Sequence, residues 1–274
     1  NNSSWAIENG GEIQVKGNSY STNSFKIVNE KYKQEICLDG KLSPDKEDSL
    51  QVSLFNINVL DLSKLLGVDE DLSGTLNGYF AIHNPYEALT ITSSLNLSAF
   101  KLNNQEIGDF NFFTTYNDKL SAVVMKGGVK YRGKSSIGLG GTYKLNEIDN
   151  NLELSLLFDN TDISFLNGFM DPQVVSNVKG NVKGAVMVLG NLQKPRLNGF
   201  LMLDNTSADF NMLGCKYTLD GKINVTESGF VANRPISCKD IEGNSAKLFL
   251  SVYHDNFRDF NYEVNLDFEN KLDS

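Results

Sequence analysis

The chain has 274 residues, 40% of them hydrophobic and 22% charged, with 23 Gly, 5 Pro and 3 Cys. That composition excludes disorder, a collagen-like repeat and a small disulfide-stapled scaffold. The net charge of −9 opposes a phosphate backbone and argues against nucleic acid as a partner. The longest apolar runs, such as 185–189, cover about five residues where a membrane-spanning helix needs roughly twenty. The amino-terminal Asn1-Asn2-Ser3-Ser4-Trp5 lacks the charged and apolar stretches of a signal peptide, so the chain reads as mature or as a piece of something longer.

In chain order, apolar residues alternate with polar ones at Ile13 and Val15, at Leu152, Leu154 and Leu156, around Val182, and at Leu248, Leu250 and Val252. The clearest run is Tyr262, Val264, Leu266 and Phe268, set between Asn261, Glu263, Asn265, Asp267 and Glu269. A period of two is the mark of a half-buried strand. Turn signals separate the runs: Asn103-Asn104, Gly127-Gly128, Asp149-Asn150-Asn151, Asp220-Gly221 and Glu242-Gly243-Asn244. The spacing predicts an all-β meander of short strands. Helical periodicity is confined to two short apolar turns, one at Leu60, Leu62, Leu65 and Leu66, the other at Ile163, Phe165, Leu166 and Phe169. Pro44, Pro85, Pro172, Pro195 and Pro235 all fall in breaks or at strand edges, as continuous sheet requires.

Each helical turn precedes a related segment. Leu72-Ser73-Gly74-Thr75-Leu76-Asn77-Gly78 is matched by Val178-Lys179-Gly180-Asn181-Val182-Lys183-Gly184, an internal repeat of about 105 residues of the kind that lengthens one sheet. The sequence reads as one elongated β fragment over 1–274, with sub-repeats at about 50–155 and 156–270 and with 1–49 the end of a preceding unit.

No catalytic constellation emerges. His83 and His254 are the only histidines; both read as turn residues, and no G-x-S-x-G elbow is present. Asp69, Asp71, Ser73 and Gly74 imitate the start of a calcium loop, but Phe80 stands where a bidentate Glu is required. Gly138-Leu139-Gly140-Gly141 lacks the last glycine of a dinucleotide fingerprint and reads as glycines that let a strand bend. Cys37, Cys215 and Cys238 lack metal-ligand spacing and read as buried thiols or as one Cys215–Cys238 bridge. No enzyme activity, metal or cofactor is expected.

The second repeat carries a resemblance. The run from Val178 to Gly184, continued by Gly190-Asn191-Leu192-Gln193-Lys194-Pro195-Arg196-Leu197-Asn198-Gly199, resembles the "G, strand, G, P-x-L-x-G" pattern of the TamB family of translocation and assembly module proteins. Leu213-Gly214-Cys215-Lys216-Tyr217 and Asp240-Ile241-Glu242-Gly243-Asn244-Ser245-Ala246 extend the match to the family, and Tyr253-His254-Asp255-Asn256-Phe257 resembles a segment common in its versions from Bacteroidota. The likeness is good over about residues 170–270, fainter over 50–155 and weak before 50. It implies an elongated, curved or rolled antiparallel sheet, a β-taco or open β-groove with one or two short helical turns. It also implies a periplasmic setting, with inner-membrane attachment through parts of the full-length protein outside this chain.

The function so implied is carriage of phospholipid acyl chains toward the outer membrane, with a TamA- or BamA-like barrel as a possible partner. Exposing roughly sixteen methylenes to water would cost about 13 kcal/mol, which an apolar trough removes. The groove-lining residues are expected to be Leu152, Leu154, Leu156, Leu248, Leu250, Val252, Tyr262, Val264, Leu266 and Phe268. Two other readings compete. One is an outer-membrane protein assembly scaffold that takes up nascent β-strands at a sheet edge; the other is a non-enzymatic β-sandwich surface or adhesion module.

Overall fold

The computed structural model describes residues 4–65, 71–102, 104–168, 170–191, 193–211, 214–255 and 258–268. These residues form eighteen strands, one short α-helix and two 3-10 turns, so the all-β expectation holds. Every registered strand pair is antiparallel. The chain divides into two compact units, one of residues 1–132 with 140–147 and one of residues 133–139 with 148–274.

The first unit opens with β1 (Ala6–Ile7), β2 (Ile13–Lys16), β3 (Ser19–Asn29), β4 (Gln34–Leu42) and β5 (Ser49–Asn58), and then turns through α1 (Val59–Leu65). It continues with β6 (Leu72–His83), β7 (Thr90–Leu102), β8 (Gln105–Asn117) and β9 (Ala122–Tyr131). From β2 to β9 each strand pairs with the next, while β1 lies against β3. The helix starts where Asn58 Oδ1 accepts the Leu60 N–H at 2.9 Å, a side-chain cap on an otherwise unpaired donor. Strand β10 (Lys134–Lys144) has its residues divided between the two units.

The second unit comprises β11 (Leu152–Asp162), a 3-10 turn at Ser164–Gly168, β12 (Val175–Gly190), β13 (Pro195–Phe210) and β14 (Cys215–Thr226). Two short strands follow, β15 (Gly229–Val231) and β16 (Ile236–Lys239), then β17 (Ser245–Asp255) and β18 (Arg258–Phe268). Both short strands pair with β14 on one side and β17 on the other. The 3-10 turn is tied to β12 by Asn167, whose Oδ1 accepts the Val178 N–H and whose Nδ2 donates to the Val178 carbonyl.

Several strands run longer than the turn signals predict, and two of those signals are corrected. Gly127-Gly128 lies inside β9 and Asp220-Gly221 inside β14. Gly127 and Gly128 pair with Phe112 and Asn111 in an unbroken ladder, whereas Asp220 lies opposite a recurrent bulge. Strands of this chain repeatedly carry two residues opposite one on the next strand; in β12 these are Asn177 and Val178 opposite Ala208, and five strands share another geometry with the left-handed residue second: Asn23 and Ser24 opposite Asp39, Phe55 and Asn56 opposite Asn77, Ser98 and Ala99 opposite Asp109, Asp159 and Asn160 opposite Lys183, and Asp204 and Asn205 opposite Asp220. The second residue of each of these five pairs has φ between 49° and 54°. Such a bulge frees a ladder donor and bends the strand. In four cases the freed N–H donates to the opposing side chain: Ser24 to Asp39 at 2.9 Å, Asn56 to Asn77 at 2.8 Å, Ala99 to Asp109 at 2.8 Å and Asn205 to Asp220 at 2.7 Å. Asp220-Gly221 is thus a bulge brace and not a hairpin turn.

The G-x-x-x-G repeat has its cause in the same place. Gly78 in β6 and Gly184 in β12 have φ of 134° and 158°, and a Cβ at either would stand 2.1 Å from a carbonyl oxygen of the following strand, that of Ser94 or Phe200. Only glycine fits there.

Candidate functional site

The register builds one apolar face in the second unit. Its central row runs across seven strands, Leu156, Val186, Gly199, Val225, Phe230, Val252 and Tyr262, each directly paired with the next. Beside it Leu154 pairs with Val188 and Val188 with Leu197, while Leu152 pairs with Gly190 at the strand end. Toward the bulges, Ile236 pairs with Leu248 and Leu248 with Leu266, and Leu250 pairs with Val264. Paired residues point the same way from a sheet. All ten predicted lining residues therefore share this face, Phe268 through its pairing with Ala246.

Packing grades along the face. Leu248, 1% exposed, is sealed in a cluster with Tyr217, Leu219, Ala232, Ile236, Cys238 and Ala246. Leu152 is also buried, whereas Leu154, Leu156, Leu250, Val252 and Leu266 are half-buried. Tyr262, Val264 and Phe268 are 59%, 53% and 63% exposed. A second cluster, Ile163, Val178, Val182 and Ala208, sits under the 3-10 turn, with Phe158, Leu166 and Leu201 against it. A shallow apolar crevice lies between Phe210, Tyr217, Cys238, Leu248, Val264 and Leu266.

The first unit has its own face. Ile27, Ile36, Leu54, Gly78, Leu95, Phe112 and Gly127 form a row from β3 to β9, again each paired with the next. The five side chains of this row are all half-buried. Phe100 meets Phe110 edge-on at 5.3 Å, and Phe110 stacks on Phe112 at 5.6 Å, so aromatic surface concentrates on β7 and β8.

The chemistry of both rows is that of hydrocarbon. Neither contains a charged residue, and the titratable groups bordering the crevice are held neutral. Burial pushes the Cys238 thiol up to about 11, and burial followed by the neighbouring Cys215 raises the Tyr217 hydroxyl. Such a surface shields apolar groups from water.

The other sequence candidates lie elsewhere. His83 ends β6 with Nε2 3.4 Å from Thr92 Oγ1, and the His254 ring packs against Phe230 near the end of β17. Both are strand residues, not the turn residues expected. Asp69 lies outside the described residues, as do Leu66, Phe169, Leu192, Leu213, Asn256 and Phe257 of the segments named above. None of the three cysteines is in a disulfide, so there is no Cys215–Cys238 bridge; Cys238 is buried and Cys37 half-buried, but Cys215 is exposed and not the buried thiol expected. Among the described residues no helix is long and apolar enough to cross a membrane.

Sequence reasoning missed the first unit's face and the crevice residues Phe210, Tyr217 and Cys238. A signal for the former existed in Ile36 and Leu38, Val52 and Leu54, Leu95 and Leu97, and Phe110 and Phe112, each a period-two pair. Comparison of the chain with protein families, with curated proteins and with solved structures finds no match.

Proposed function

We propose that the chain is a non-enzymatic segment of a periplasmic bridge, in which apolar faces shield phospholipid acyl chains on their way toward the outer membrane. The observation that carries this reading is the seven-strand row from Leu156 to Tyr262, uncharged throughout, buried at Val186 and Val225, half-buried at Leu156, Phe230 and Val252, and exposed at Tyr262. Burying one methylene of a tail gains about 0.8 kcal/mol. A face several strands wide therefore offsets the hydrophobic cost of leaving a bilayer without any chemical step. The likeness to the TamB family supports the same reading, with a barrel protein of the outer membrane as the downstream partner.

The test is a photo-crosslinking residue at Val264 or Leu250, with Asn265 and Phe249 on the opposite face as controls. Phospholipid adducts are expected at the first pair and not at the second. No adduct at Val264 or Leu250, or equal adducts on both faces, overturns the reading.

A further inference from the structure

The five bulges that place a left-handed residue second do more than bend strands. In β13 the apolar face is built from Leu197, Gly199, Leu201 and Leu203 before the bulge, and from Thr206, Ala208 and Phe210 after it. The numbering passes from odd to even at the bulge. The same change of phase occurs in β3 between Thr22 and Phe25, in β5 between Leu54 and Ile57, in β7 between Leu97 and Phe100, and in β11 between Phe158 and Thr161. A strand that lost its bulge by slipping one residue would turn half of its face to the wrong side.

We propose that Asp39, Asn77, Asp109 and Asp220 are positioning residues that keep each apolar face in phase by bracing the bulge N–H, and that Lys183 leaves the fifth bulge unbraced. The inference rests on the acyl-chain reading for its functional meaning, while its structural content stands apart from it. Asn77 occupies the same place as the three aspartates, so the requirement is an oxygen acceptor and not a charge. Lys183, opposite Asp159 and Asn160, presents an ammonium, which is a donor only. Strand β11, which carries Leu152, Leu154 and Leu156, is the one bulged strand of the five whose opposing side chain cannot accept the freed N–H.

The experiment compares Asp220→Ala, Asp220→Asn and Lys183→Asn in the full chain, reading amide hydrogen exchange at Asn205 and Asn160 together with phospholipid capture at a crosslinker on Leu250. Asp220→Ala is expected to speed exchange at Asn205 by about ten-fold and to cut capture. Asp220→Asn is expected to restore both, and Lys183→Asn to slow exchange at Asn160. Unchanged exchange at Asn205 in Asp220→Ala overturns the proposal, as does an Asp220→Asn variant that behaves like the alanine, or an Asn160 amide indifferent to Lys183→Asn. Failure of the unmodified chain to capture lipid counts against the conduit alone, because the exchange results decide the brace independently.

Discussion

The carboxylate of Asp220 accepts the backbone N–H of Asn205 from the adjacent strand at 2.7 Å, and Asp39 holds Ser24 in the same way at 2.9 Å, the partners fifteen positions apart in both cases. The two braces lie in different units. Replacing either aspartate by alanine is expected to cost about 1 kcal/mol, the net worth of one hydrogen bond. The double variant is expected to show the sum. Chemical denaturation of the three variants checks both magnitude and additivity.

Ala99 occupies the left-handed region at φ 50° with no polar side chain to compensate. A β-carbon there is strained by about 1 kcal/mol relative to glycine. Ala99→Gly is therefore expected to leave stability unchanged or raise it, against the usual direction for glycine in a strand. A fall in melting temperature would show that the site is not strained.

Leu248 and Val264 lie on one face but differ in exposure, at 1% and 53%. Leu248→Ala is expected to cost about 2–5 kcal/mol through the cavity it leaves. Val264→Ser is expected to change stability by less than about 0.5 kcal/mol while lowering affinity for an acyl chain. Denaturation and lipid binding measured on the same two variants separate support of the face from contact with cargo.

The thiols should differ in reactivity. Cys238 is buried with its thiol raised to about 11, whereas Cys215 is exposed. At neutral pH a maleimide is expected to label Cys215 promptly and Cys238 only on unfolding, since the thiolate is the reactive form. Mass spectrometry of labelled peptides with and without denaturant gives the answer.

Two carboxylates tie the order of their turns to pH. Lys41 first, and then the Ser43 hydroxyl, hold Asp48 below its ordinary value of 3.8; hydrogen bonding from Asn244 does the same for Asp240 in the turn between β16 and β17. A depressed carboxyl contributes fully above its unfolded value and loses that contribution as pH falls through the folded one. Both turns are expected to keep their order at pH 5 and to loosen only below about pH 4. Lys41→Met is expected to move the Asp48 midpoint back toward 3.8 in an NMR titration.

Period-two alternation made the fold class and the Tyr262 to Phe268 strand legible, because β17 and β18 keep one phase from Leu248 to Val252 and from Tyr262 to Phe268. Alternation did not reveal the length of β13 or β14. Asp204-Asn205 and Asp220-Gly221 have the chemistry of turns, and only the opposing strand shows that they form a bulge and its brace. The G-x-x-x-G repeat was visible as a pattern, but its cause, a carbonyl oxygen where a Cβ would stand, lies on a strand some sixteen residues away in each copy. The first unit's face was written in plain pairs such as Phe110 and Phe112, yet its phase changes at Asn56 and Ala99 obscured continuity.

The extra residue in each bulged strand gives the sheet something like a reading frame. Deleting Asn205 alone would not merely shorten a loop or remove a contact. It would place Thr206, Ala208 and Phe210 on the side now occupied by Ser207 and Asp209, a frameshift in sidedness written in side chains instead of codons. A second deletion within the same half-strand would restore the sense. Tolerance of single-residue indels in this chain should therefore depend on parity more than on the chemistry of the residue lost.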